Sequence, residues 1–124
     1  MKAKALFGEF FKEKRINTGM TLREFCFEYD LDPGNISKLE RGLLNPPKSK
    51  EKLEKLAFYL GIRKESDDWY EFFDRAAACK GEIPEEIMKD DEIVKSLPLV
   101  FRTFRRKRVA REAILSLLER LKNI

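Results

Sequence analysis

Residues 30–42 read DLDPGNISKLERG, a polar stretch that contains three aliphatic side chains, Leu31, Ile36 and Leu39. Asp32 is a favoured helix N-cap, and Pro33 suits the first helical position because the N–H that proline lacks would have no helical partner there. Gly42 is the residue type that most often follows a helix end. The stretch therefore predicts a short helix that begins at Pro33 and leaves several polar side chains on its surface.

Two helices are predicted before this stretch. The first covers about residues 5–18, and Gly19 follows it as a helix terminator. Thr21 opens the second helix, with Glu24 three residues later in the spacing of a capping box. The second helix should end near Tyr29, so that a turn of three or four residues joins it to the third.

Helices are also predicted beyond the stretch. Ser49 is a suitable N-cap for a fourth helix that ends before Gly61. Ser66 opens a fifth helix, and the two aspartates that follow it place negative charge at the positive end of the helix dipole. The core face of the fifth helix is predicted to carry Trp69, Phe72, Phe73 and Ala76.

The chain beyond Gly81 has a looser pattern. Pro84 begins a short helical piece, Asp90 or Asp91 begins another, and Pro98 is expected to interrupt it. An amphipathic helix over about residues 110–122 follows. Because no strand-like alternation is present, the sequence predicts an all-α protein.

Composition narrows the function. The chain has no histidine and two widely separated cysteines, Cys26 and Cys79. Histidine is the commonest general base and metal ligand, and two lone cysteines cannot form a structural zinc site. We therefore expect no enzyme activity, no metal or other cofactor, and two free thiols in a reducing cytosol. No apolar run approaches the roughly 20 residues of a membrane-spanning helix, so we expect a cytoplasmic protein with no membrane partner.

Charge is distributed in blocks along the sequence, whose formal net charge is +4. Residues 1–62 carry 12 basic and 9 acidic side chains, residues 63–97 carry 6 and 11, and residues 98–124 carry 8 and 2. Basic segments thus flank an acidic middle. This asymmetry suggests a polyanionic partner, and a solvated surface is the competing explanation.

Three segments within residues 5–62 together match the sequence pattern of one known family. They are KRINTGMTLREF, DLDPGNISKLERG and KLEKLAFYLGI. With these segments the chain resembles the lambda-repressor/Cro-like (XRE-type) helix-turn-helix family. The resemblance implies a DNA-binding helical bundle over residues 1–62 and a helical extension over residues 63–124 that serves dimerisation or partner binding.

The resemblance also implies roles for individual residues. The residues that it places in contact with DNA bases or phosphates are Leu22, Arg23, Pro33, Gly34, Asn35, Ser37, Lys38 and Arg41. It implies a semi-buried ion pair between Arg15 and Glu40 that links the first helix to the third. The family often has glutamine where this chain has Leu22, so that contact is absent or replaced by an apolar one. Lys38 and Asn35 should therefore carry most of the base readout, with lysine favouring guanine and asparagine favouring adenine.

Two features of the extension remain open. The segment FRTFRRKR, residues 101–108, could contact phosphates, contact protein, or be a solvated helix flank. An apolar stripe in the last helix is spaced either as intramolecular core or as a set of dimer contacts, and its members are Ile114, Leu117, Leu118 and Leu121.

Two functions follow from the resemblance. The first is a sequence-specific transcriptional repressor that acts as a homodimer on a palindromic operator in double-stranded DNA. The second is a HigA-type antitoxin that neutralises a RelE/HigB-type ribonuclease toxin and represses its own operon. Because such toxins tend to be basic, the acidic residues 63–97 could contact one. The basic tail argues against a role in which an acidic chain wraps around the toxin and neutralises it.

Overall fold

The computed structural model describes residues 3–106 and 108–122, including all their side chains except those of residues 104, 108–110, 117, 121 and 122. Within these ranges the chain forms eight α-helices and no strand, which confirms the predicted all-α class. The helices are α1 (Ala3–Asn17), α2 (Leu22–Glu28), α3 (Pro33–Glu40), α4 (Lys50–Tyr59), α5 (Asp67–Lys80), α6 (Glu85–Met88), α7 (Asp91–Arg105) and α8 (Arg108–Lys122). None of these described helices is long and apolar enough to cross a bilayer.

Local side-chain chemistry sets the helix starts. The Thr21 hydroxyl accepts a hydrogen bond from the Glu24 N–H at 3.2 Å, and the Thr21 N–H donates to the Glu24 carboxylate at 3.1 Å. This reciprocal pair is the predicted capping box. Asp32 caps α3, with Pro33 as its first residue, and two serines cap α4 and α5. The predicted N-caps of α2 to α5 are therefore confirmed.

The chain divides into two compact units, of which the first ends at Pro84 and the second begins at Glu85. The predicted domain boundary after residue 62 assigns α5 to the extension, whereas in the structure α5 belongs to the first unit. The reason is aromatic packing, because the Phe72 ring lies 5.1 Å from the Phe7 ring and 6.4 Å from the Phe10 ring of α1.

The core of the first unit draws on α1 to α5. Its fully buried large side chains are Phe7, Phe11, Phe25, Phe72 and Cys26. On α5, Phe72 and Ala76 are buried, and Trp69 and Phe73 pack against the core while remaining partly exposed. Two further aromatic pairs lie at the edge of the core: Tyr29 stacks on Tyr59 at 4.2 Å, and Trp69 contacts Phe73 at 4.6 Å between ring centroids.

The second unit consists of α6, α7 and α8, and α7 packs against both of its neighbours. Pro98 lies inside α7, so the prediction that it interrupts the helix is wrong. Proline has a backbone φ that is compatible with a helix, and it removes one helical hydrogen bond. No side chain that the structure describes in this unit is buried.

Candidate nucleic-acid interface

The turn between α2 and α3 comprises residues 29–32, and backbone contacts fix its shape. Asp30 has a left-handed backbone conformation with φ of 54°, which turns the chain sharply after α2. The Leu31 N–H then donates to the carbonyl of Cys26 at 2.8 Å, and the Leu31 side chain packs against the core. These contacts hold the start of α3 in one position relative to α2.

The helix α3 has one buried face and one exposed face. Ile36 and Leu39 are buried, with 7% and 4% of their surface exposed. Ser37 is half-buried, and the other predicted contact residues of this helix and its C-cap are exposed: Pro33, Gly34, Asn35, Lys38 and Arg41. The structure thus brings most of the predicted α3 contacts onto the solvent side of a helix whose opposite side is anchored in the core.

The two predicted contacts at the start of α2 differ in exposure. Arg23 is exposed, whereas Leu22 is half-buried and packs against the core. Much of the Leu22 side chain is therefore already engaged within the protein, and Arg23 is the more accessible of the two.

An ion pair fixes the C-terminal half of α3. The Arg15 guanidinium donates to both carboxylate oxygens of Glu40, at 2.7 Å and 3.0 Å, and also to the carbonyl of Met20 at 3.0 Å. The two side chains are 9% and 6% exposed. Hydrogen bonding to the Glu40 carboxylate raises the pKa of Arg15, since the contact favours the charged guanidinium. A bidentate pair of this kind restrains orientation as well as distance.

Arg41 is the C-cap of α3, and its side chain turns back along the helix. Its Nε atom donates to the Ser37 carbonyl at 3.3 Å. A cation at this end of a helix is favourable because it lies near the negative end of the helix dipole. The contact holds the Arg41 side chain close to the exposed face that carries Lys38.

Protein carboxylates already occupy the N-termini of both helices. The Asp32 carboxylate accepts from the Gly34 N–H at 3.3 Å, and Glu24 belongs to the capping box of α2. Hydrogen bonding from Thr21 lowers the pKa of Glu24, because the contact favours the charged carboxylate. A helix N-terminus is often an anion site, but here the cationic side chains must supply the attraction for phosphate.

A cleft of about 540 Å³ beside α3 was not predicted from the sequence. Asn35 lines it together with Lys52, Lys55 and Tyr59 of α4, and the rest of its wall consists of Asn45 and apolar side chains. Lysines from α4 therefore lie in the same cleft as a predicted base-reading residue. The lysine-rich start of α4 is the sequence signal that could have drawn attention to them.

The predicted features of the extension are only partly described. Ile114 is half-buried and Leu118 is 46% exposed, while the side chains of Leu117 and Leu121 lie outside the described residues. In the segment of residues 101–108, the exposed side chains are Phe101, Arg102, Thr103, Arg105 and Arg106. Lys107 and the side chains of Phe104 and Arg108 also lie outside the described part.

Both cysteines are free, Cys26 in the core and Cys79 half-buried on α5. Burial raises the pKa of both thiols, so neither is activated as a nucleophile. Among the residues that the structure describes, no group of three or more cysteine, aspartate or glutamate side chains could hold a metal ion.

Comparison of the chain with protein-family models, with curated proteins and with solved structures gave no match. Function must therefore be inferred from the chemistry of the chain's own residues.

Proposed function

We propose that the chain is a sequence-specific DNA-binding transcriptional regulator, with a lambda-repressor-like helix-turn-helix bundle as its DNA-reading part. The observation that carries the proposal is the division of α3 into a buried and an exposed face. Asn35 and Lys38 are exposed on a helix that Ile36 and Leu39 anchor in the core. Side chains held in fixed register on a protruding helix are suited to reading base edges in a major groove.

Rigid placement of α3 supports this function. The helix is restrained at its start by the Asp32 cap and the Leu31 contact, and at its end by the bidentate Arg15–Glu40 pair. Base discrimination depends on hydrogen bonds whose geometry fails with small displacements, and a helix held in place keeps that geometry. Such a helix also loses less conformational entropy on binding.

Exposed cations lie among the exposed carboxylates of this surface and are suited to contact the phosphates of a polyanion. Arg23 and Arg41 are exposed on either side of the turn that joins α2 to α3, and Lys52 and Lys55 are exposed on α4. Cations of this kind contact phosphates and set the register of a protein on DNA without reading sequence. A single module of this size buries too little surface for high specificity, and a homodimer on a palindromic operator supplies the second half-site.

Binding-site selection from random duplex DNA tests the proposal. We expect repeated rounds to enrich one sequence with two inverted half-sites. A selected pool as random as the starting pool would refute specific readout, even if the protein retained DNA, because non-specific binding needs only the phosphate charge. The double variant Asn35→Ala, Lys38→Ala is the matched control for this selection. It should still bind DNA but enrich a less defined sequence.

A role as antitoxin is a second candidate, compatible with DNA binding. It is supported by a run of exposed carboxylates in the second unit, whose members are Glu85, Glu86, Asp90, Asp91 and Glu92. Such a surface suits a basic partner protein. Co-expression with any small, basic, growth-inhibiting protein encoded beside this chain tests the role. The chain should restore growth of the host cells, and a variant with these five carboxylates changed to amides should not.

A further inference from the structure

The cleft beside α3 lies between two helices of the first unit that pack mainly on other helices. The helix α3 packs on α1 and α2, and α4 packs on α5. Side chains of α3 and α4 line the cleft between them, which has a volume of about 540 Å³. Sites for small molecules generally have volumes of roughly 300–1,000 Å³ and mostly apolar walls with a few polar groups. The cleft therefore has the size of a small-molecule site.

The wall on the α4 side is a single helical face. Its members recur at positions i, i+3, i+4 and i+7, as Lys52, Lys55, Leu56 and Tyr59. Side chains with this spacing lie on one side of a helix. The two lysines belong to the N-terminal part of the face and the two apolar residues to its C-terminal part. This side of the cleft therefore joins a cationic end to an apolar end.

The rest of the wall is mainly apolar, and part of it is accessible to water. Leu44 is 37% exposed, and Leu31 and Pro47 are half-buried. A DNA phosphate would satisfy the lysines, but it has no apolar group that could cover these side chains. Burial of apolar surface is favourable. A ligand with an apolar body would therefore use the part of the cleft that a phosphate leaves in contact with water.

The charge of the cleft selects an anion. Lys52 and Lys55 are the charged side chains among the described residues that line it. Lys55 lies 3.7 Å from the carboxylate of Glu51, in a pair whose side chains are 61% and 80% exposed, and such pairs are weak. Lys52 lies in the first turn of α4, where the positive end of the helix dipole also favours negative charge. An anionic group is therefore expected at the lysines.

We propose that the cleft binds a small carboxylate with an apolar body, with the carboxylate at Lys52 and Lys55 and the body against Leu44 and Tyr59. Asn35, a proposed base-reading residue, lines the same cleft. A bound carboxylate would therefore compete with DNA for this surface and act as an inducer that releases the regulator. The inducer role rests on the proposed function, whereas binding of the carboxylate does not.

Calorimetric titration of the full chain with decanoate, without DNA and below the concentration at which decanoate forms micelles, tests the binding. We expect one decanoate per chain. Decanol has the same apolar body without the charge, and acetate has the charge without the body. Each should bind at least about tenfold more weakly than decanoate, because each lacks one of the two contacts. Decanol that binds as tightly as decanoate would overturn the proposal.

A pair of neighbouring leucines locates the apolar contact. Leu44→Glu places a carboxylate in the wall of the cleft and should weaken decanoate binding at least about tenfold by charge repulsion and loss of apolar contact. The matched control is Leu43→Glu, because Leu43 is 57% exposed and is not among the residues that line the cleft. This control should bind decanoate like the unmodified chain. Far-ultraviolet circular dichroism checks that both variants are folded.

A second pair of variants locates the anion contact. Lys52→Gln, Lys55→Gln should weaken decanoate binding about tenfold, since charged hydrogen-bond donors are lost. The control of equal charge change is Lys12→Gln, Lys64→Gln, at exposed positions outside the lining of the cleft. Decanoate binding that neither the leucine nor the lysine variant weakens would overturn the proposal. So would an unmodified chain that binds no decanoate, which is the result expected if a protein segment fills the cleft instead.

The inducer role is tested with the DNA that the binding-site selection yields. At a decanoate concentration of about ten times its own Kd, competition should lower the affinity for this DNA about tenfold. The affinity of the Leu44→Glu chain for the same DNA should not respond to decanoate. Decanoate that binds without changing the affinity for DNA would overturn the inducer role.

The two proposals fail separately. A chain that binds decanoate in the cleft but selects no DNA sequence would refute the DNA-reading function alone. A chain that selects a defined sequence but binds no decanoate would refute the ligand site alone.

Discussion

Gly8 of α1 lies directly against the backbone carbonyl of Leu39 in α3. A Cβ atom at position 8 would lie 2.7 Å from the carbonyl oxygen of Glu40 and closer still to that of Leu39. Gly42, which has φ of 75°, makes a second close approach, because a Cβ there would lie 2.8 Å from the Cα of Ala5. The first half of α1 and the end of α3 therefore meet backbone to backbone, which leaves no room for side chains between them.

Gly8→Ala should destabilise the protein. Alanine at a helix interior usually stabilises by about 1 kcal/mol relative to glycine. Here the added methyl group meets carbonyl oxygens that cannot move without shifting α3, and such overpacking costs about 1–3 kcal/mol. Gly34→Ala is the control, since its Cβ would meet only the Asp32 carboxylate at 3.7 Å. Urea denaturation measures both changes, and equal stabilisation of the two variants would contradict the close approach.

Glu40→Ala should lower the free energy of unfolding by about 3 kcal/mol, because it leaves the Arg15 charge buried without its partner. Glu51→Ala removes an exposed partner of Lys55 at 3.7 Å and should cost less than about 0.5 kcal/mol. Chemical denaturation of the two variants in the same buffer gives the comparison. A loss for Glu40→Ala as small as that of Glu51→Ala would show that the pair is solvated in solution.

Lys38→Ala and Arg41→Ala should affect DNA binding differently. Lys38→Ala should relax preference at one operator position, at a cost of about 1–3 kcal/mol if the lost contact is bidentate. Arg41→Ala should weaken binding to all sequences alike and reduce the slope of log K against log salt by about 1. Competition titrations over a salt series measure both quantities, with Lys64→Ala as a control of equal charge change. Identical sequence profiles and unchanged slopes would refute the placement of α3 on DNA.

The capping box should make stability depend on pH. Hydrogen bonding from the backbone and side chain of Thr21 lowers the pKa of Glu24, so the folded state favours the carboxylate. The contribution is therefore complete above the ordinary glutamate pKa of about 4.3 and is lost as pH falls through the lowered value. We expect Glu24→Gln to melt below the unmodified chain at neutral pH and together with it at about pH 2. Glu28→Gln, on the exposed surface of the same helix, is the control of equal charge change.

The parts of the fold that follow from neighbouring residues were predicted from the sequence. Each of the four predicted N-caps, from Thr21 to Ser66, accepts a hydrogen bond from a backbone N–H two or three residues later. A cap of this kind depends on a residue type and a short spacing, both of which can be read directly from the sequence. Pro98 shows the limit of the same reasoning, since a local helix breaker is tolerated in a helix that the rest of its sequence favours.

The parts that depend on distant residues were not predicted. Gly8 resembles any helix-interior glycine in the sequence, and only the approach of α3 explains it. The assignment of α5 to the first unit depends on contacts of Phe72 with residues more than sixty positions earlier. In the candidate site, resemblance pointed to residues on α2 and α3, whereas the lysines of α4 share the cleft with Asn35 only through tertiary structure.

The boundary after Pro84 leaves the tryptophan and the tyrosines of the chain on one side of it. The single tryptophan and all three tyrosines lie in the first unit, as Trp69, Tyr29, Tyr59 and Tyr70. Trp69 contacts Phe73, and Tyr29 stacks on Tyr59, so their surroundings change when the first unit unfolds. Tryptophan fluorescence therefore reports melting of the first unit alone, while far-ultraviolet circular dichroism records the helices of both. The two signals from one unlabelled sample reveal whether the units unfold in one step or two.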